Sequence, residues 1–367
     1  MATLPAEPAV MAALAVPETG QPALPWLAAP LAAALARHRG HALLVHGAAG
    51  VGALHFALAL AQAWLCESDA DSDADADDTR PRSHPRPCGR CGSCHLVQSK
   101  VHPDLALLMP QTLRRSLDWP LRDDKPDEDG KKKPSRQLRV DEVRGLIDWT
   151  QRTSGRGRGK VAVLHPAEAM NLQAGNALLK TLEEPPAGTR LVLTTSDPAL
   201  LLPTVLSRCQ HLRLLPPPAT EASAWLAAQG VERPEVLLAA ASGRPLDALA
   251  LSAAGIDAAT WAALPRAVAA GRAEALAGWA VPQAVDALQK LCADALTRAA
   301  GGTARYFPDT ALPRPGPARA LLDWHEALSR VAAHAGHPWH EGLLIDALVA
   351  QGSTALAAGA QARIGSA

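Results

Sequence analysis

Residues 47–54 read Gly47-Ala48-Ala49-Gly50-Val51-Gly52-Ala53-Leu54. In the G-x-x-x-x-G-K-[ST] phosphate loop the glycines let backbone N–H groups cradle phosphates, the lysine reaches the β/γ-phosphates and the hydroxyl holds Mg²⁺. This stretch keeps the glycine spacing, but Ala53 and Leu54 occupy the lysine and hydroxyl positions and can do neither job. A Gly/Ala-rich turn arising from composition alone would look the same, so the flanks must decide. Upstream, the apolar run His41-Ala42-Leu43-Leu44-Val45 enters the loop as a buried strand would; downstream, Phe56 to Leu65 leave it with helical apolar spacing. The frame is that of a nucleotide fold, and no functional ATP site is expected in it.

A chain of 367 residues exceeds one ordinary hydrophobic core and implies two or three domains. Lys plus Arg and Asp plus Glu both number 36, for a formal net charge of zero. That balance argues against binding nucleic acid by bulk electrostatics, so any DNA contact is expected to be local or shared with partners. Glu7 and the prolines 5, 8, 17, 22, 25 and 30 interrupt the N-terminal apolar stretches, which therefore resemble neither a signal peptide nor a spanning helix. A cytoplasmic protein without a membrane partner is expected. Tyr and Phe number 1 and 2, which favours helix over sheet outside the first domain.

Four of the six cysteines cluster in sequence. Cys88-Gly89-Arg90-Cys91-Gly92-Ser93-Cys94 presents three thiols on tight turns, and Cys66 is the obvious fourth ligand of a tetrahedral zinc. A reducing compartment favours metal over disulfide; free thiols or a redox pair are the alternatives. His95 is a possible substitute ligand, although four thiols already complete a set. Between Cys66 and Cys88, acidic residues from Glu67 to Asp78 alternate with Ala and Ser, so a solvated, disordered insertion is expected over about 67–87. Calcium is the sharper alternative there, but the run lacks the Gly and distal Glu of an EF-hand loop. A second polar insertion, about 111–136, carries Lys131-Lys132-Lys133 and reads as an exposed loop.

The rest alternates strand and helix. His102 to Leu108 is a strand candidate, Val140 to Thr150 a helix with Val143, Leu146, Ile147 and Thr150 on one face, and Lys160 to His165 a buried strand. Asn171 can cap a helix that Pro185 ends, and Arg190 to Thr194 is a further strand. Such alternation predicts a parallel sheet with covered faces. After Pro216-Pro217-Pro218 the pattern is helical, first as a small segment to about Ala254 and then from Ala258 to the end.

The stretch Met170-Asn171-Leu172-Gln173-Ala174-Gly175-Asn176-Ala177-Leu178-Leu179-Lys180-Thr181-Leu182-Glu183-Glu184-Pro185-Pro186, then Leu193-Thr194-Thr195-Ser196-Asp197 and Ser207-Arg208-Cys209, resembles the bacterial clamp-loader AAA+ ATPases. The order of these blocks, the cysteine knuckle after the first helix, and Val140-Asp141-Glu142-Val143-Arg144 match that family over nearly the whole chain. The resemblance implies an α/β AAA+ domain with a zinc knuckle over residues 1–215, a small helical lid over 216–255 and a helical collar over 256–367. It also implies that Arg208, flanked by Ser207 and Cys209, is an arginine finger acting on a neighbouring subunit.

Against the family pattern, four nucleotide-handling positions depart: Ala53, Leu54, His165 where a Mg²⁺-positioning Asp is expected, and Leu246 in the sensor-2 segment where active subunits carry an arginine. A member that has lost its own site while keeping Arg208 is expected to be a non-hydrolysing subunit. Its implied partners are gamma/tau-type ATPase subunits, the clamp-opening delta subunit and primed DNA, with the sliding clamp reached indirectly. Two alternatives stand beside this reading. One is an active ATPase of the same fold with an atypical loop, although no lysine lies between Gly47 and Lys100. The other is a zinc-dependent nucleic-acid-binding module, against which the neutral charge counts.

Overall fold

The computed structural model describes residues 14–68, 86–120, 134–334 and 340–361. The chain divides into two compact units, one running to Pro216 and the other from Pro217 onward. Most of the acidic insertion expected at 67–87 and the lysine run 131–133 lie outside the described residues.

The first unit is a five-stranded sheet with helices. After α1 (Ala28–Arg37) come β1 (Ala42–His46), α2 (Ala53–Leu65), α3 (Gly92–Gln98), β2 (Leu105–Leu108) and α4 (Gln111–Ser116). These are followed by α5 (Val140–Thr150), β3 (Lys160–Leu164), α6 (Leu172–Glu183), β4 (Thr189–Thr195), α7 (Pro203–Leu206) and β5 (Gln210–Arg213). Strand order is β2-β3-β4-β1-β5, and every pairing is parallel. β1 lies inside this order, between β4 and β5, and is buried from Ala42 through Val45, as its unbroken apolar run requires.

Both faces of the sheet are covered. Leu44, Ala162, Leu164, Leu191 and Leu193 share one core cluster with Val143 and Leu146 of α5 and Leu178 and Leu182 of α6. The alternate residues Leu43, Val45, Val161, Val163 and Val192 are equally buried, and so is almost all of α2, which packs on β1, β3 and β4. α5 begins with the Glu142 carboxylate accepting from Arg139 N at 2.8 Å, and α6 with Asn171 Oδ1 accepting from Ala174 N at 2.8 Å.

Three elements differ from the sequence reading. β2 starts at Leu105, because His102 and Asp104 form a buried polar turn before it. Residues 111–116, inside the expected polar insertion, form the short helix α4, none of whose residues is buried. β5 had no apolar signature: three of its four residues are exposed, as an edge strand allows, and pairing with β1 makes it a strand.

Among the described residues from Pro217 onward every regular element is helical: α8 (Ala219–Ala228), α9 (Pro234–Ala240), α10 (Pro245–Ala253), α11 (Ala258–Ala269), α12 (Val281–Ala299), α13 (Ala318–Ala333) and α14 (Glu341–Gln361), with two short 3-10 turns. This unit is stitched by buried Asp294, whose carboxylate accepts from the backbone N–H groups of Arg305, Tyr306 and Phe307 at 2.8–2.9 Å. Among the described residues no single helix is long and apolar enough to cross a membrane.

Candidate functional site

In an open parallel sheet, ligands bind beyond the carboxyl ends of the strands. Here that edge gathers the Gly47–Gly52 loop after β1, His165 after β3 and the Thr194-Thr195-Ser196 end of β4, since His46 pairs with Thr195 and Leu164 with Leu193. The sequence-predicted loop and His165 thus come together on one edge.

The loop is held by packing. A Cβ on Gly47 would sit 2.4 Å from the Leu214 carbonyl oxygen, so glycine is needed where the chain leaving β5 passes close. Gly52 takes φ +104° as it caps α2, a left-handed conformation that favours glycine. Trp26 Nε1 donates to the Val51 carbonyl at 2.8 Å, and Leu24 and Leu27 pack against Gly52. Leu54 is buried and apolar, and Ala53, half-buried, offers no charge.

His165 Nδ1 lies 2.6 Å from Thr194 Oγ1, whose hydroxyl donates to the Leu164 carbonyl at 3.3 Å. That network assigns the proton to Nδ1 of a neutral ring. Burial pushes the His165 pKa down to about 4, against the pull of the Glu168 carboxylate, and nearby His55 lowers it further. Glu168 turns to the neighbouring strand end: Oε1 accepts from Ser196 N at 3.0 Å and Ser196 Oγ at 2.7 Å. Leu246 lies half-buried in α10 of the second unit, and its apolar side chain offers no donor to a phosphate.

Arg208 stands apart from that loop, just after α7. Its backbone N–H donates to Val205 O at 3.2 Å, and the following Cys209 is buried in the core, where burial raises its thiol pKa to about 11. The guanidinium is half-exposed. Nε donates to Glu183 Oε1 at 2.7 Å, Nη2 pairs with the same oxygen, and Nη1 donates to the Thr204 carbonyl at 2.9 Å and Ser207 Oγ at 3.3 Å. Sequence reasoning assigned no role to Glu183, because its pairing with a residue 25 positions away leaves no local signal.

The four cysteines converge. The sulfurs of Cys66, Cys88, Cys91 and Cys94 all lie within 4.8 Å of one another, with Cys88–Cys94 and Cys66–Cys91 at 3.9 Å. A tetrahedral zinc with Zn–S near 2.3 Å has sulfurs about 3.8 Å apart, so this set fits that ion. Backbone N–H groups of Cys88, Glu67 and Cys94 point at the sulfurs of Cys66, Cys91 and Cys91 at 3.4–3.5 Å. The hydrogen bond with Cys94 lowers the Cys66 pKa to about 4 against the effect of burial, while the same pairing and burial raise Cys94. His95 is exposed and bonds Gln98, not the cluster. Glu67 ties the knuckle to the strand-entry loop of β3: Arg156 Nε donates to its Oε1 at 2.7 Å, and Arg156 N donates to buried Asp104 at 2.9 Å.

Sheet order, loop position and the covered faces define a protein of the phosphate-loop nucleotide-fold class. The family described as DNA polymerase III, delta subunit matches residues 31–218, and the chain belongs to that family. A relative named DNA polymerase III subunit delta' from Pseudomonas aeruginosa is 35% identical over 220 residues, covering 59% of this chain and 57% of the relative. The Escherichia coli protein of the same name is 34% identical over 234 residues, covering 62% of this chain and 60% of its own length. DNA polymerase III subunit tau of Escherichia coli is 29% identical over 174 residues, covering 47% of this chain and 21% of that protein. The chain thus spans less than two thirds of the length of these curated relatives.

Proposed function

We propose that this chain is a non-hydrolysing, delta-prime-like subunit of a bacterial clamp loader, working in DNA replication and supplying Arg208 in trans to the nucleotide of a neighbouring gamma/tau-type ATPase subunit. What supports the reading is a contrast within one chain: Ala53, Leu54 and His165, read as its nucleotide-handling positions, offer no charge to a phosphate or a metal, while Arg208 is partly exposed on the turn after α7 and held by Glu183. Losing the lysine and the metal contact removes the charge stabilisation on which phosphoryl transfer depends. A trans arginine supplies such charge, and is worth about 10³–10⁵ in rate in the enzymes that define the effect.

In this reading Cys66, Cys88, Cys91 and Cys94 hold one structural zinc, residues 216–255 form a lid and 256–367 a collar that assembles with the ATPase and delta subunits. Primed DNA is contacted within that assembly, consistent with the zero net charge of the chain. The protein acts in the cytoplasm and has no ATPase activity of its own.

Reconstitution with gamma/tau-type and delta partners tests it. Arg208→Ala is expected to leave assembly by size unchanged and to lower DNA-stimulated ATP hydrolysis and clamp loading; wild-type loading by an assembled Arg208→Ala complex removes the finger from the account. The similarity to tau favours a second reading, an active ATPase with an atypical loop. Mg²⁺-dependent ATP turnover by the isolated chain, abolished by substitution at Gly52, would establish it.

A further inference from the structure

The pairing of Arg208 with Glu183 deepens the proposed trans role and rests on it. Glu183 is the last residue of α6 and precedes Glu184, Pro185 and Pro186. A carboxylate at a helix C-terminus faces the negative end of the macrodipole, so its position does nothing for the helix and calls for a cation nearby. Arg208 is that cation. The two side chains are about a third and a half exposed, and a surface pair of this kind contributes little to stability. What the pair does supply is direction.

A guanidinium has five N–H donors in a rigid fork. Glu183 takes the side edge, Nε and one Nη2 hydrogen; the Thr204 carbonyl and the Ser207 hydroxyl take Nη1, the latter at a long 3.3 Å. Among the described residues one Nη2 hydrogen, on the fork's end edge, is left without a partner, and the longest of the four bonds is the one from Nη1 to Ser207. Release of one Nη1 partner therefore opens the Nη1/Nη2 edge to two phosphate oxygens while Glu183 still grips the side edge. The backbone beneath is fixed by α7 and by buried Cys209.

We propose that Glu183 is a positioning residue for Arg208, holding its guanidinium side-on so that the end edge is aimed at the terminal phosphate of the nucleotide in the adjacent subunit. The carboxylate touches no substrate; it removes the rotamer freedom that a long, half-exposed side chain would otherwise lose on reaching the phosphate.

The experiment uses reconstituted clamp-loader complexes carrying wild-type, Arg208→Ala, Glu183→Ala, Glu183→Gln and doubly substituted chains, with ATP turnover read as kcat and KM at saturating primed DNA. Assembly by size and melting temperature are expected to match wild type throughout. Glu183→Ala lowers kcat, by up to about a hundredfold as for other misplaced catalytic groups, with KM for ATP little changed. Glu183→Gln, which keeps an acceptor oxygen for Nε, restores most of it. In the Arg208→Ala background, Glu183→Ala adds nothing further. If Glu183→Ala turns over at the wild-type rate or faster while Arg208→Ala is slow, the positioning role is overturned and the trans finger stands. If Arg208→Ala is itself at the wild-type rate, the finger reading fails whatever Glu183 does.

Discussion

His165 Nδ1 and Thr194 Oγ1 lie 2.6 Å apart across the ends of β3 and β4, and the bond ties a neutral imidazole into the carboxyl edge of the sheet. The ring's pKa is pushed down to about 4, chiefly by burial, so the folded protein disfavours its protonation. Its contribution to stability is fully present above the ordinary histidine value of about 6.5 and is lost as pH falls from there through about 4. His102, His38 and His46 are also lowered by burial and act in the same direction. Wild-type melting temperature is expected to fall between pH 7 and 4.5. His165→Gln, which cannot titrate, is expected to flatten that slope by on the order of 1–2 kcal/mol. An identical slope in the variant would remove His165 as a contributor.

The cysteines divide into two chemical classes. Cys66, Cys88, Cys91 and Cys94 are expected to hold one zinc per chain, lost in Cys94→Ser and retained in Cys292→Ala, as metal analysis of protein purified without chelator would report. Burial raises Cys209 to about 11 and Cys292 to about 12, so both are expected to resist thiol reagents until the protein unfolds. After zinc is stripped, four thiols are expected to label first. Zinc-free protein from such a preparation, or labelling of Cys292 in the native state, would contradict this division.

Two glycines separate loop geometry from helix propensity. Gly47→Ala would place a methyl 2.4 Å from the Leu214 carbonyl, against backbone that cannot swing away, and is expected to destabilise by about 2 kcal/mol or more. Gly145→Ala, inside α5 with nothing within 4 Å, is expected to stabilise by about 0.5–1 kcal/mol. Denaturant midpoints check both; a neutral Gly47→Ala would mean that the loop is not packed as described.

Asp104 is 1% exposed and accepts from Ser154 Oγ at 2.9 Å, Gly155 N at 2.7 Å and Arg156 N at 2.9 Å. Asp104→Ala leaves these donors without a partner and is expected to cost roughly 2–4 kcal/mol, with faster amide exchange over residues 154–156. Exchange there unchanged from wild type would show that the loop is fixed by other contacts.

The sequence by itself determined the parallel sheet and its helices. Runs such as Ala42–Val45 and Val161–Leu164 are apolar without alternation, which only a strand covered on both faces satisfies, and Asn171 and Pro185 mark helix ends by chemistry confined to one turn. The cysteine spacing likewise announced its own convergence, because three of the thiols sit on adjacent turns. Tertiary structure decided what depends on distant partners. The exposed residues of β5 become a strand only by pairing with β1. Gly47 is a glycine because of Leu214, and His165 is held neutral by its burial beside Thr194. Glu183 meets Arg208 only because the end of α6 and the turn after α7 are brought together by the core beneath them. Backbone propensity acts within a few residues and is written in the local sequence, whereas desolvation, close approach and charge pairing depend on where the folded chain puts its remote parts.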